Sequence, residues 1–196
     1  MSTAIRLRPA CFEDWQRRID AGEIVELIDG EIVPQDCGRA EHGLPQAKIA
    51  EVLGPFNRRA GGPRGPGGWW IFTEVDIRYP QHDEVFRHDA SGYRREGREV
   101  MPSSFPLLEV PDWACEILSA STARIDLVKK RRTLHQHGVP YYWVVDPANQ
   151  VLTVHRLTSD GYVVLASGGV GDRILAEPFG AVEIDVGELF GHDPSE

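Results

Sequence analysis

The sequence has only three cysteines, Cys11, Cys37 and Cys115, an odd number spread far apart and without a CxxC pair. That excludes a disulfide framework and a thiolate zinc site as organising devices, and it fits a reducing compartment, the cytoplasm. No apolar run approaches the roughly 20 residues that a membrane span needs. The first residues, MSTAIRLRPACFEDW, lack the apolar centre of a signal peptide. A soluble, unexported protein with no membrane partner is expected. Positive charge is also scarce: 21 Lys and Arg face 30 Asp and Glu, a formal net charge of −9. This counts against a protein that coats nucleic acid, because phosphate neutralisation supplies much of that affinity. The deficit is uneven, however. After Arg173 there is no Lys or Arg, while Glu177, Glu183, Asp185, Glu188, Asp193 and Glu196 accumulate, so a local basic face elsewhere is compatible with the total. The chain has neither an internal repeat nor a low-complexity segment.

What is present suffices for one packed domain: 196 residues, 41% of them hydrophobic. Phe12, Trp15 and Ile19 recur at helical spacing within residues 9–21, with Gly22 as the stop. EIVELIDGEIVPQ is two β-prone runs around Asp29-Gly30, the dipeptide a two-residue type I′ hairpin prefers. From His42, Ile49, Val52, Leu53 and Phe56 form the apolar stripe of an amphipathic helix, with His42 and Gln46 sharing a face near its start. GGPRGPGG is a loop that adds Arg64 beside Arg58 and Arg59. Residues 69–79 read as one strand, and EVFRHDASGYRRE as its antiparallel partner, with Asp89 at or just past the end of the second run. Arg94, Arg95 and Arg98 then open a loop. Trp69, Trp70 and Trp143 read as core or strand-packing residues.

The centre of the chain is PDWACEILSASTARIDLVKKRRTLHQHGVPYYWVVD, residues 111–146. A strand over 113–118 puts Ala114, Glu116 and Leu118 on one face and Trp113, Cys115 and Ile117 on the other. Ser119, Ser121 or Thr122 caps a following helix, which stops at Gly138 in an αL position. YYWVV is a second buried strand, so the unit implies a parallel crossover. VLTVHRL and YVVLAS, around Ser159-Asp160-Gly161, form a further hairpin. The fold class expected is therefore α/β.

An ionised side chain costs several kcal/mol to bury unpaired, so Glu116 inside an apolar run requires a partner, a metal or a proton. Asp112 lies four residues earlier on the same strand, about 13 Å away, too far to share one ion. Asp89 can lie on a neighbouring strand, and two such carboxylates make a hard oxygen site suited to Mg²⁺. On the helix, at about 100° per residue, Lys130 falls about 50° from the stripe of Leu127 and Leu134, with Asp126 one turn before it, whereas Lys129 points away. Lys129, Arg131 and Arg132 would then form a solvated basic rim. Each residue also has a plainer reading. Glu116 can be a charge met by a helix arginine, Asp89 a turn cap before Gly92, and Lys130 a partner of Asp126. Glu26 can be a hairpin-rim charge, and His42 a hydrogen-bonding residue at a helix start. His135 and His137 point about 200° apart on a helix and do not chelate one ion.

Asp89, the Glu116-Ile-Leu-Ser run, Thr122-Ala-Arg-Ile-Asp126, Lys130 and Gly138-Val-Pro-Tyr-Tyr-Trp-Val-Val-Asp146-Pro, together with ELIDGE and the helix at His42, cover nearly the whole chain. In this order they resemble the bacterial putative restriction endonuclease family often called Uma-type, within the PD-(D/E)XK nuclease superfamily. The resemblance implies a restriction-endonuclease-like mixed β-sheet flanked by helices, with N-terminal and C-terminal β-hairpins. One nuclease-like domain would span residues 1–196: helix and hairpin over 1–41, core over 42–157, and hairpin with acidic extension over 158–196. It implies DNA cleavage with Mg²⁺, Mn²⁺ as a substitute, and a homodimer to cut two strands. Asp89 and Glu116 would hold the ion, Lys130 would orient the nucleophile, and His42, Glu26 and Asp126 would support them. Two departures stand out. His88 replaces the Pro of the PD signature, a change expected to be harmless. Leu118 stands where the superfamily places its lysine, which is thereby expected on the helix, at Lys130. The competing reading is a catalytically inactive nuclease-fold module for nucleic-acid binding or mobile-element regulation.

Overall fold

Two main β-sheets and a two-stranded ribbon share the chain in the computed structural model, which describes residues 8–35, 39–62, 65–120 and 123–194. Cys37, Arg64, Ser121 and Thr122, two of the three candidate caps, and Glu196 lie outside the described residues. The first helix, α1 (Phe12–Asp20), buries Trp15, whose indole N–H donates to the Val25 carbonyl at 2.9 Å. Strands β1 (Val25–Ile28) and β2 (Glu31–Pro34) form the expected hairpin. Asp29 (φ 54°) and Gly30 (φ 74°) are both left-handed, as a type I′ turn requires. Helix α2 (Ala40–Leu53) follows, with Ile49 and Leu53 buried and Phe56 buried just beyond its end.

The run 69–79 is not one strand. It divides into β3 (Trp69–Phe72) and β4 (Val75–Tyr79), and its partner divides into β5 (Glu84–His88) and β6 (Ala90–Arg94). β3 pairs β6 with Phe72 opposite Ser91, and β4 pairs β5 with Val75 opposite His88. At the junction Glu74 takes φ 52°, and Asp89 drops out of both ladders. The left-handed residue turns the ribbon, and its two halves enter different sheets. Asp89 therefore stands at a break within the run, not at its end.

One half joins a four-stranded sheet in the order β2-β1-β5-β4. The other half joins β7 (Trp113–Ile117), β8 (Tyr141–Asp146), β9 (Val151–Thr158) and β10 (Gly161–Gly169) in a six-stranded sheet of order β10-β9-β8-β7-β6-β3. In that mixed sheet β7 and β8 run parallel, and the other pairs are antiparallel. A small ribbon of β11 (Arg173–Leu175) and β12 (Glu183–Asp185) and a 3₁₀ turn at Gly187–Phe190 close the chain.

The period of two in β7 sorts the two layers. Trp113, Cys115 and Ile117 join Trp143, Phe179 and α2 residues in one core, with Trp113 and Trp143 meeting edge to face at 5.1 Å. Ala114, on the opposite face, joins Leu134, Val139, Tyr142 and the four-stranded sheet's Ile77, Tyr79 and Phe86. Glu116 shares that second face and is thus enclosed between the two sheets and the crossover helix.

The crossover opens as a π-helical stretch, Ile125–Lys130, and continues as α3 (Arg131–Gln136), ending at Gly138 with φ 73°. The Arg131 N–H donates to the Asp126 carbonyl, five residues back. That wider turn shifts the stripe expected of an α-helix. Leu127, 38% accessible, faces outward, while Asp126, Lys130, Thr133 and Leu134 are buried. Lys129 is not part of a solvated rim either. It lies 3.5 Å from Asp29 and from Glu31 on the first hairpin, and Arg132 reaches Asp29 at 3.2 Å.

β6 must pass between two indoles. A Cβ on Gly92 would meet Trp113 Cε3 at 3.1 Å and Trp69 Cε3 at 3.2 Å. Gly92→Val is therefore expected to cost about 1–3 kcal/mol by overpacking. Gly43→Ala in α2, where the added methyl meets nothing within 4 Å, should gain up to about 1 kcal/mol. Urea unfolding of the two variants beside the wild type checks both signs.

Candidate active site

Among the described residues Glu116 has two direct side-chain partners, Lys130 and His88, and through Lys130 it is linked to Glu26 and Asp126. Its Oε1 accepts from Lys130 Nζ at 3.1 Å and lies 2.5 Å from His88 Nδ1. Lys130 Nζ also lies 2.9 Å from Glu26 Oε1 and 3.4 Å from Asp126 Oδ1. Glu26 Oε1 in turn accepts the Arg87 N–H at 2.7 Å. All these side chains but Arg87 are buried. Alternation explains the convergence: on β1, Glu26 and Ile28 face the crossover helix while Val25 and Leu27 pack toward α1. On β5, Glu84, Phe86 and His88 face the same way, and Glu84 accepts the Thr133 hydroxyl at 2.5 Å.

A second group adjoins the first. Asp89 Oδ2 accepts the Ile117 N–H at 2.6 Å, so this carboxylate is held beside the residue that follows Glu116. His42 Nε2 lies 3.0 Å from Asp89 Oδ1, and Gln46, one turn further along α2, donates to the Asp89 carbonyl and to Glu74, both at 3.1 Å. The Asp89 side chain is 13% accessible and that of His42 24%, so this side of the site is the more open one.

The electrostatics follow from burial and surplus acid. Burial alone would strip the proton from Lys130, but Glu116, Glu26 and Asp126 outweigh it and hold the ammonium charged, its pKa well above the usual lysine range. Burial pushes the Glu116 carboxyl well up, against Lys130, and raises Glu26 for the same reason. One ammonium does not fully compensate three buried carboxylates. The Asp89 hydrogen bond raises His42, against partial burial. Burial, with Lys130 nearby, keeps His88 neutral, and burial keeps the Tyr79 hydroxyl protonated.

Asp89, Glu116, Lys130, His42, Glu26 and Asp126 thus all meet in one region. Glu26 is not a hairpin-rim charge but a buried partner of Lys130. Asp89 turns toward His42 and Ile117 and away from a cap at Gly92. Asp112 accepts the Arg94 N–H at 2.8 Å and pairs with Arg98, away from Glu116. Arg94 and Arg95 stack over Trp69 and Trp70 at 4.7 and 4.9 Å. His88 is no neutral replacement for a proline: it joins Glu116 to Tyr79, whose hydroxyl oxygen lies 2.7 Å from His88 Nε2. The signal for it was the alternation of β5, which puts an ionisable ring on the face of Phe86. Tyr79 carried no such signal.

The donor set can be tested against a metal. No hydrogen bond or ion pair of the described residues reaches Glu116 Oε2, and both Asp89 oxygens are acceptors with one recorded contact each. Among the described residues no three His, Cys, Asp or Glu side chains surround an ion-sized position. Two carboxylates amid surplus negative charge fit Mg²⁺ or Mn²⁺, which keep several waters; they do not fit a three- or four-residue zinc cage.

The family model of Uma2, described as "Putative restriction endonuclease", matches residues 9–187. A crystal structure of a putative nuclease belonging to DUF820 from Anabaena variabilis ATCC 29413 shares the fold. Its TM-score is 0.69 at 19% identity, over 93% of this chain and 98% of that one. No curated protein matches. No helix of the described residues is long and apolar enough to cross a membrane.

Two stability outcomes follow. Lys130→Met leaves three buried carboxylates without their cation and should cost about 3–5 kcal/mol at neutral pH. That deficit should narrow as pH falls and the raised carboxyls protonate. His42→Gln keeps a hydrogen bond but loses the charge. Because the folded pKa of His42 is raised, its contribution is complete below about pH 6.5 and fades as pH rises through the folded value. Urea unfolding at pH 5.5 and 8.5 reads both effects.

Proposed function

The chain belongs to the Uma2 putative restriction endonuclease family, and on that premise we propose that it hydrolyses DNA phosphodiester bonds with a divalent cation. One observation carries the reading: Asp89, at the break between β5 and β6, is tied to β7 by its hydrogen bond from the Ile117 N–H, next to Glu116, with a lysine on that second carboxylate. Asp89 and Glu116 are the residues that would hold Mg²⁺ or Mn²⁺. The ion would supply a water of lowered pKa and charge stabilisation at the scissile phosphate. His42 and Gln46 fix Asp89 from the open side. Lys130, with its Nζ within 3.4 Å of three carboxylates, acts here by favouring the anionic form of Glu116 and orienting it. Glu26 and Asp126 hold Lys130 in turn.

The same saturation of Lys130, with Leu118 at the position where the superfamily carries lysine, is the observation that favours the second reading, a nuclease fold that binds nucleic acid without cutting it. Supercoiled plasmid at low salt with Mg²⁺ or Mn²⁺ separates the two. On the first reading the wild type nicks the plasmid, and Glu116→Gln and Asp89→Asn each lower the rate by at least about 100-fold. Linear product formed without a nicked intermediate would mark two chains acting as a homodimer. Plasmid bound but left intact with either ion would sink the nuclease reading in favour of the binding module.

A further inference from the structure

The PD signature offers a proline before its aspartate, a side chain with no donor. This chain has His88 there, fully buried and between two specific partners. Its Nδ1 lies 2.5 Å from Glu116 Oε1, and its Nε2 lies 2.7 Å from the Tyr79 hydroxyl. The proton positions follow from valence. Lys130 Nζ, an ammonium, can only donate, and it lies 3.1 Å from the same Oε1. With Glu116 ionised, as a cation ligand must be, Oε1 only accepts, and His88 Nδ1 carries the hydrogen between them. The other ring nitrogen of a neutral imidazole is then an acceptor, which the Tyr79 O–H fills. Tyr79 belongs to β4 and His88 to β5, and Val75 to Tyr79 pairs along the strand that ends at His88 and Glu84.

We propose that His88, locked in its Nδ1–H tautomer by Tyr79, is a positioning residue that pins Glu116 Oε1 together with Lys130 and so leaves Oε2 for a cation. With both donors on Oε1, rotation of the carboxylate would break two contacts at once. The inference rests on the cation reading of Asp89 and Glu116 given above. Its own content is that the choice of oxygen is made by a histidine–tyrosine pair remote from solvent.

Mn²⁺ binding to the DNA-free protein, followed by electron paramagnetic resonance and calorimetry, tests it together with the tautomer by ¹⁵N NMR of the imidazole. The wild type should show the Nδ1–H tautomer. His88→Leu should lose affinity by about 10–100-fold, the range typical of groups that orient metal ligands. His88→Asn places an amide N–H where Nδ1 stood and should recover affinity to within about threefold of the wild type, an effect that packing alone would not give. Tyr79→Phe, which keeps the ring, should lose affinity by about 3–10-fold and admit the Nε2–H tautomer. Thermal melting without metal shows that each variant is folded. Mn²⁺ bound by the wild type and equally well by folded His88→Leu and Tyr79→Phe overturns the positioning role and leaves the cation site standing. An Nε2–H wild-type tautomer also overturns it. No Mn²⁺ binding by the wild type overturns both.

Discussion

One ammonium among three buried carboxylates is the constraint on which the rest depends. Lys130 belongs to the crossover helix, Glu26 to the four-stranded sheet and Glu116 to the six-stranded one, so a single charged group ties together three elements. Such a network is a poor source of stability. Taking each ion from water costs several kcal/mol, and attraction at about 3–4 Å offsets little more than that. Removing one member is far costlier than the network is favourable, because the others remain buried. The physical effect is therefore to fix geometry: a shift of either sheet against the helix would separate Lys130 from at least one acid. A fold held by apolar packing alone has no need of this, so the network is consistent with the proposed site and is not explained by stability.

The break in the long ribbon makes that geometry useful. In a regular strand successive side chains point to opposite faces. His88 and Asp89 are successive, yet both address β7, His88 through the Glu116 carboxylate and Asp89 through the Ile117 amide. This is possible only because the ladder ends at His88 and a new one begins at Ala90, with Glu74 in a left-handed conformation across the gap. The strain of one non-glycine residue at positive φ is modest, about 1–3 kcal/mol. It brings two functional groups to one spot where an unbroken strand would supply one.

How much of this the sequence disclosed varies with the physical scale of each signal. Glu116 was legible because a charge in an apolar run of period two must be satisfied locally, and the hairpin at Asp29-Gly30 because its turn needs particular residues. The bend at Glu74 was not: neither Gly nor Pro marks it, and alternation on either side is intact. Lys130 was found by α-helical angles, although the backbone there is π-helical; its inward placement survived because Asp126 and Lys130 still share the buried side, whereas Leu127 did not follow. Glu26 reads both as a support of the site and, more plainly, as a rim charge, since nothing near it in sequence reveals that its partner lies on a distant helix. His88 was read as an absence of proline when its chemistry lay in what the imidazole adds.

The proposed nuclease site inside an acidic chain poses one last physical problem, since the proposed substrate is itself a polyanion. Glu26, Asp89, Glu116 and Asp126 outnumber the cations they face, so the metal-free site repels phosphate. A divalent ion held by Asp89 and Glu116 would offset most of that surplus and supply coordination positions for phosphate oxygens, so the acid that disfavours substrate would be what retains the ion. Longer-range attraction must then come from elsewhere on the surface. Arg94 and Arg95, stacked on Trp69 and Trp70, are held by their rings with guanidinium edges still able to donate, and they lie on β6 and the turn just beyond it, the strand that begins next to Asp89. The proposed affinity for DNA thus depends on two separated features of opposite origin, an acid cluster made attractive by an ion and an aromatic-backed arginine pair at the far end of the same strand.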